Sequence, residues 1–141
     1  MTPMEQPIVR FLANGRRARL MARYRVLVAD RLIEVPRGFV TDFASIPRFF
    51  QRLLPKLDAH IGASVVHDWL YRSGIVTRKD ADDIFLSLMR RAGVGWLKRQ
   101  AMYRAVRWFG WIHYRPVGEE LAATQVHTYY LRRKALQNKE Q

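Results

Sequence analysis

The sequence predicts an α+β domain in which N-terminal β-hairpin strands precede an antiparallel helical bundle. Three observations carry that expectation. Residues 8–38 read as short strands separated by turn dipeptides, with strict alternation of side chains over Arg23 to Ala29, the signature of antiparallel strands. Past residue 39 the apolar spacing changes to the three-or-four-residue period of helices. No repeat or low-complexity linker interrupts the 141 residues, so one domain over 1–141 is expected. Its parts would be a β-rich 8–38, a helical 39–134 and a frayed tail at 135–141.

The elements follow in order. Ile8 to Leu12 reads as a strand, closed by the hairpin dipeptide Asn14-Gly15. In Arg23 to Ala29, Tyr24, Val26 and Val28 alternate with Arg23, Arg25 and Leu27, which gives one β-branched or aromatic face. Asp30-Arg31 turns the chain into a returning strand, Leu32 to Val35, and Pro36 and Gly38 end it. Phe39 to Pro47, FVTDFASIP, is a compact loop in which Thr41, Asp42 and Ser45 can bond nearby backbone. Pro47 suits the first turn of a short helix, Arg48 to Leu54, which Pro55 stops.

Asp58 can cap a helix from Ala59 to Arg72 that Ser73-Gly74 terminates. Thr77 opens the next helix, Arg78 to Arg91, and Gly93 and Gly95 break it. Trp96 to His113 makes a third helix before Pro116-Val117-Gly118, and Glu119 to Lys134 a fourth. Leu97, Ala101, Ala105, Trp108 and Ile112 form the stripe expected to face the core.

Composition bounds the function. Without cysteine there is neither a disulfide framework nor a thiolate zinc site. The start, Met1 to Gln6, has no secretory signal, and no apolar run is long enough to span a membrane. Secretion by a signal peptide is therefore not expected. The net charge of +13 points to a polyanion, whether nucleic acid, an anionic lipid surface or an acidic protein, or equally to a well-solvated surface with no dedicated partner. No nucleotide loop, nucleophilic Ser/His/Asp set or zinc motif is present.

The sharpest motif is His67-Asp68-Trp69-Leu70-Tyr71. On a helix His67 and Tyr71 share a face, with Asp68 about a quarter turn away. On the following helix Asp82 shares its face with Phe85, Leu86 and Met89, so its carboxylate should be at least partly buried and in need of a partner. A short connection makes the two helices antiparallel neighbours. His67 and Asp82 can then meet, fixing the imidazole tautomer and leaving the second ring nitrogen to activate water. Asp82 could equally serve Tyr71 or an arginine, and Asp80 is explained as a helix cap.

HDWLYR followed by ADDIF resembles the two catalytic helices of phospholipase A2, especially the small bacterial and fungal type. TDFASIP resembles the calcium loop of the bacterial branch, although the glycines of many such loops are missing. The resemblance implies that His67 is a general base, Asp82 its orienting carboxylate and Tyr71 a support for Asp82. It further implies that Asp42 and Asp68 are calcium ligands. A longer series of blocks, GFVTDFASIPR, VVHDWLYRSG, ADDIFLSLM and MYRAVRWFGW, resembles a family of unknown function found in tailed bacteriophages and prophages, which implies a bacterial host cytoplasm or a virion as the location.

In the third helix Trp96, Gln100, Arg104, Arg107 and Trp111 recur on the side away from the apolar stripe, joined by Arg99 and Tyr103. Interleaved rings and arginines suit a membrane interface, and equally base stacking with phosphate contact. Alternatively, Leu121 to Leu131 folds over this face and buries it.

Three functions follow. The first is a calcium-dependent phospholipase A2-like esterase acting on membrane lipid in phage lysis or entry. The second is a non-catalytic virion or assembly protein that binds phage structural proteins through its basic surface. The third is a nucleic-acid-binding module. A metal phosphohydrolase built on His60 and His67 fits less well, because both lie on one helix.

Overall fold

The computed structural model describes residues 5–42, apart from 14 and 16, and residues 61–115. The expected helix at 48–54, the cap at Asp58, the fourth helix and the tail lie outside the described residues.

The fold class is as the pattern predicts: antiparallel strands, then three helices. The strands are β1 (Val9–Phe11), β2 (Ala18–Leu20), β3 (Tyr24–Val28), β4 (Arg31–Val35) and β5 (Val40–Thr41). One sheet has the order β1-β2-β5, and β3 pairs with β4 as a separate hairpin. Tyr24, Val26 and Val28 are buried while Arg25 and Leu27 are exposed, so the alternation does set the core face.

Three local expectations are corrected. The β3–β4 turn is at Ala29-Asp30, one residue early, with φ of 46° and 61°. Two consecutive positive φ values make a primed hairpin turn, whose twist matches that of the flanking strands. β2 has no clear signal in the sequence, because three residues, ARL, carry too little alternation to stand out. β5 lies where the sequence predicts a loop: Ala18 pairs with Thr41 and Arg19 with Val40, a register that local sequence does not encode. This pairing delivers Thr41 and Asp42 to the helices.

The helices are α1 (Ile61–Ser73), α2 (Arg78–Arg91) and α3 (Trp96–Phe109), and a 3-10 turn (Gly110–Ile112) replaces the end of the predicted third helix. Gly74, at φ 60°, ends α1 in the left-handed conformation that glycine adopts without steric cost. The Thr77 hydroxyl then accepts from the Asp80 N–H and starts α2. α1 packs on α2 and α2 on α3, while β3 rests on α2 and β4 and β5 on α1. Val26, Val35, Val66, Leu70, Phe85, Leu88, Met89 and Val106 meet in one core. Among the described residues no helix is long and apolar enough to cross a membrane.

The third helix does not turn the expected stripe inward. Met102, Ala105 and Val106 are buried, whereas Leu97 is 76% exposed, Trp108 71% and Ile112 60%. Ala105 alone of the predicted stripe reaches the core. The sequence offers two apolar faces, and the smaller side chains fit closely against α2 while the bulky rings remain outside.

Candidate active site

The site begins with α1, nearly all of which is buried. That burial takes His67 (0% exposed) and Asp68 (3%) out of water with Val65, Val66 and Leu70. A polar side chain so placed must find partners or destabilise the fold.

His67 finds Asp82. Its Nε2 lies 2.7 Å from Asp82 Oδ1, and both side chains are fully buried. An ionised carboxylate only accepts, so Nε2 carries the proton and the ring lone pair sits on Nδ1. The Tyr71 hydroxyl donates to the same oxygen at 2.5 Å. The imidazole packs against the Tyr71 ring, with centroids 4.1 Å apart, and against the Phe85 ring, with centroids 4.6 Å apart. The other oxygen, Oδ2, accepts from Arg107 Nη1 at 2.8 Å and faces Arg78 Nη1 at 3.8 Å. Asp82 is thus the point at which all three helices are tied.

The charges follow from these contacts. Burial pushes the Asp82 carboxyl up, but the hydrogen bonds it accepts from His67, Tyr71 and Arg107 outweigh it and hold the group below its ordinary 3.8. Tyr71 is pushed well above its ordinary value, first by burial and then by the Asp82 carboxylate it contacts. Asp68 goes the opposite way to Asp82. Burial raises it, and the Thr41 bond and the Arg72 charge only partly offset this.

Asp68 belongs to a second cluster. Thr41 Oγ1 donates to its Oδ2 at 2.6 Å, and Arg72 Nε lies 3.6 Å from its Oδ1. Arg72 Nη2 pairs with Asp42 Oδ1 at 2.9 Å, and Nη1 donates to the Val40 carbonyl at 2.9 Å. The Phe39 ring lies under the guanidinium, 5.6 Å from its carbon. Asp42 and Asp68 are therefore brought to the same place, and Arg72 bridges them.

Calcium takes six to eight oxygen ligands, so the donor set can be tested against it. Among the described residues no third His, Cys, Asp or Glu joins the pair to make a metal-holding group. Both Asp68 oxygens already face Thr41 or Arg72. Among the described residues, this set as arranged does not fit a calcium centre.

The expected binding face on α3 divides. Trp96, Arg104 and Trp111 are exposed. Arg107 instead binds Asp82, Tyr103 donates to Asp83 at 2.6 Å, and Arg99 donates to the Val94 carbonyl at 3.1 Å. The exposed surface comprises Trp96, Leu97, Trp108, Phe109, Trp111 and Ile112, with Arg104 among them. The alternative cover, Leu121 to Leu131, lies outside the described residues.

Sequence reading misses Arg72 and Arg78 as site residues, although their spacing is a usable signal. Arg72 is four residues after Asp68 and Arg78 four before Asp82, the separations at which helical side chains meet. No local signal links Arg107 to Asp82, 25 residues away.

A family model described as "Protein of unknown function (DUF1353)" matches residues 18–106. The chain belongs to that family. The matched part of this DUF1353 protein runs from β2 almost to the end of α3, and includes Asp42, His67, Asp68, Tyr71, Arg72 and Asp82. Arg107 and the exposed Trp108 and Trp111 lie beyond it. The chain is similar to two uncharacterized proteins of Sinorhizobium fredii (strain NBRC 101917 / NGR234). It is 38% identical to y4jT over 78 residues, which is 54% of this chain and 23% of the relative. It is 36% identical to y4iH over 87 residues, 59% of this chain and 36% of the relative. The chain thus spans about a quarter to a third of the curated relatives it matches. No solved structure matches it.

Proposed function

We propose that this DUF1353 domain is a phospholipase A2-like ester hydrolase acting at an anionic lipid surface, with His67 as general base and Asp82 as its positioning carboxylate. The observation that carries the reading is the 2.7 Å His67–Asp82 contact, with Tyr71 on the same carboxylate oxygen. Asp82 fixes the tautomer that leaves the lone pair on Nδ1, and its negative charge stabilises the imidazolium formed when His67 takes a proton. In the step proposed, water loses its proton to Nδ1 as its oxygen attacks the ester carbonyl. The tetrahedral intermediate then expels the alkoxide, which takes that proton back.

The choice of a lipid substrate draws on the resemblance to phospholipase A2 and on the surface of α3. Four tryptophan and phenylalanine rings are exposed there together with Leu97 and Ile112, on a chain of net charge +13. Rings at headgroup depth beside cationic side chains suit an anionic bilayer. A phage or prophage setting, in lysis or entry, rests on the block order from GFVTDFASIPR to MYRAVRWFGW.

One observation favours a second reading. His67 and Asp82 are both fully buried, and Arg107 and Arg78 neutralise Asp82 as they would in a purely structural knot. In that reading the domain is a non-catalytic phage assembly protein.

Incubation with phosphatidylglycerol vesicles, read by release of free fatty acid, decides between the two. The hydrolase releases fatty acid, and His67→Gln lowers the rate about 100-fold or more while the domain stays folded. Absence of release by the wild type, or undiminished release by the folded variant, rejects the hydrolase.

A further inference from the structure

We infer that the Arg72 guanidinium is the resident cation of the Asp42–Asp68 pair, standing where a divalent ion would otherwise sit and keeping calcium out. The inference deepens the hydrolase reading by making its site independent of calcium, but the binding claim itself does not need the domain to be an enzyme.

The geometry is a cation's coordination shell built from one side chain. Arg72 directs Nη2 to Asp42 Oδ1 at 2.9 Å, Nε toward Asp68 Oδ1 at 3.6 Å and Nη1 to the Val40 carbonyl at 2.9 Å. Two carboxylates and a backbone carbonyl, the donor types a calcium ion favours, are gathered on one planar, permanently charged group. Three features hold it there. Arg72 lies one helical turn after Asp68, so α1 brings the two together. The β2–β5 pairing delivers Val40 and, just beyond Thr41, Asp42. The Phe39 ring supports the flat face of the guanidinium.

The physical need for the cation is clear. Asp68 is almost fully buried and lies close enough to Asp42 for the second carboxylate's charge to be felt. Without a positive charge between them the pair would repel, and one would protonate or recruit an ion. Arginine, whose guanidinium is weakly hydrated, meets that need with less loss of bound water than a divalent ion must undergo. Its charge is also fixed at all working pH values. A calcium ion entering here would have to displace the guanidinium and leave it beside a divalent cation, which is strongly unfavourable. Within the hydrolase reading, the same guanidinium offers a fixed positive charge to a phosphate or oxyanion.

The test is calorimetric titration of the folded domain with calcium chloride in the absence of lipid, up to about 10 mM, a range that covers weak sites. The wild type should take up no calcium, and its melting temperature should not respond to the ion. Arg72→Gln removes the charge while keeping a hydrogen-bonding side chain. It should gain a site with a dissociation constant of about 0.1–1 mM and a calcium-dependent rise in melting temperature. Arg72→Lys, which restores a positive charge, should exclude calcium as the wild type does. Saturable calcium binding by the wild type that Asp68→Asn abolishes overturns the inference, as does a folded Arg72→Gln that takes up none. Should Arg72→Gln fail to fold, the wild-type and Arg72→Lys titrations decide alone, because binding by either one rejects the inference. Fatty-acid release is a separate readout. If release occurs and a chelator abolishes it, calcium independence fails while the hydrolase stands; if no release occurs, the hydrolase fails while the titration still decides the role of Arg72.

Discussion

Gly110 lies so close to Tyr71 that a Cβ at Gly110 would overlap the phenol hydroxyl and come within 2.9 Å of Cε2. The backbone there has an ordinary helical φ of −66°, so glycine is needed for space and not for conformation. Tyr71 cannot retreat without leaving Asp82, because its hydroxyl is what crowds Gly110. Gly110→Ala should therefore cost about 1–3 kcal/mol, as overpacking of a tight core does. The control is Gly95→Ser, at the unassisted N-cap of α3 with nothing within 4 Å, which should be neutral or stabilise by a few tenths of a kcal/mol. Thermal unfolding followed by circular dichroism measures both, and equal stability of the two variants would refute the packing argument.

Asp82→Asn should destabilise the domain by about 2–4 kcal/mol, since it leaves Arg107 and Arg78 without their carboxylate. The pH dependence has a definite sign. Because the folded Asp82 lies below its ordinary 3.8, its contribution is fully present above that value and is lost as pH falls through the lower folded one. The wild type should lose melting temperature steeply below about pH 4, and Asp82→Asn less steeply.

Asp68→Asn should behave in the opposite way. The folded Asp68 is raised above 3.8 by burial, so its charged form is less favourable in the fold than in the unfolded chain. The stability it contributes is present below 3.8 and is lost as pH rises through the raised value, leaving a cost at neutral pH. Asparagine can still accept from Thr41, so Asp68→Asn should melt at the same temperature as the wild type or higher at pH 7. A loss as large as that of Asp82→Asn would show that the Asp68 charge is needed for the fold.

The paired change Trp108→Ala and Trp111→Ala should leave stability nearly unchanged, because both rings are exposed. Binding to anionic vesicles should weaken by about tenfold or more, and remaining binding should fall with salt as the basic surface is screened. Sedimentation with vesicles measures this. A large fall in melting temperature would show instead that the rings are covered in the folded protein.

The central pair of the site is legible in the amino-acid sequence. His67 and Tyr71 share a face because they are four apart, and Asp82 falls on an apolar face that demands a partner. Helical periodicity and the short connection from Gly74 to Thr77 suffice to bring such groups together, and the 2.7 Å contact is the result. The arginines are less legible. Helical spacing puts Arg107 on an outward binding face, yet it points to Asp82. The approach of α3 to α2 is fixed by Met102 and Val106 packing inward, not by the arginine's own neighbours in sequence.

Spacing of two, three or four residues is enough to specify part of this structure. That covers the β3–β4 hairpin, the limits of α2 at Thr77 and Arg91, the burial of Asp82 and its meeting with His67. Such features depend on local geometry that the chain repeats wherever the residues allow. Tertiary packing settled the matters in which two locally acceptable answers compete. It turned Ala105 and Val106 inward and left Trp108 outside, where helical periodicity allowed either face to be buried. It also set β5 against β2, which brings Asp42 to Arg72 and makes that arginine the bridge to Asp68. Those choices belong to contacts more than twenty residues apart, where the energy of packing and of pairing buried charge exceeds any local preference.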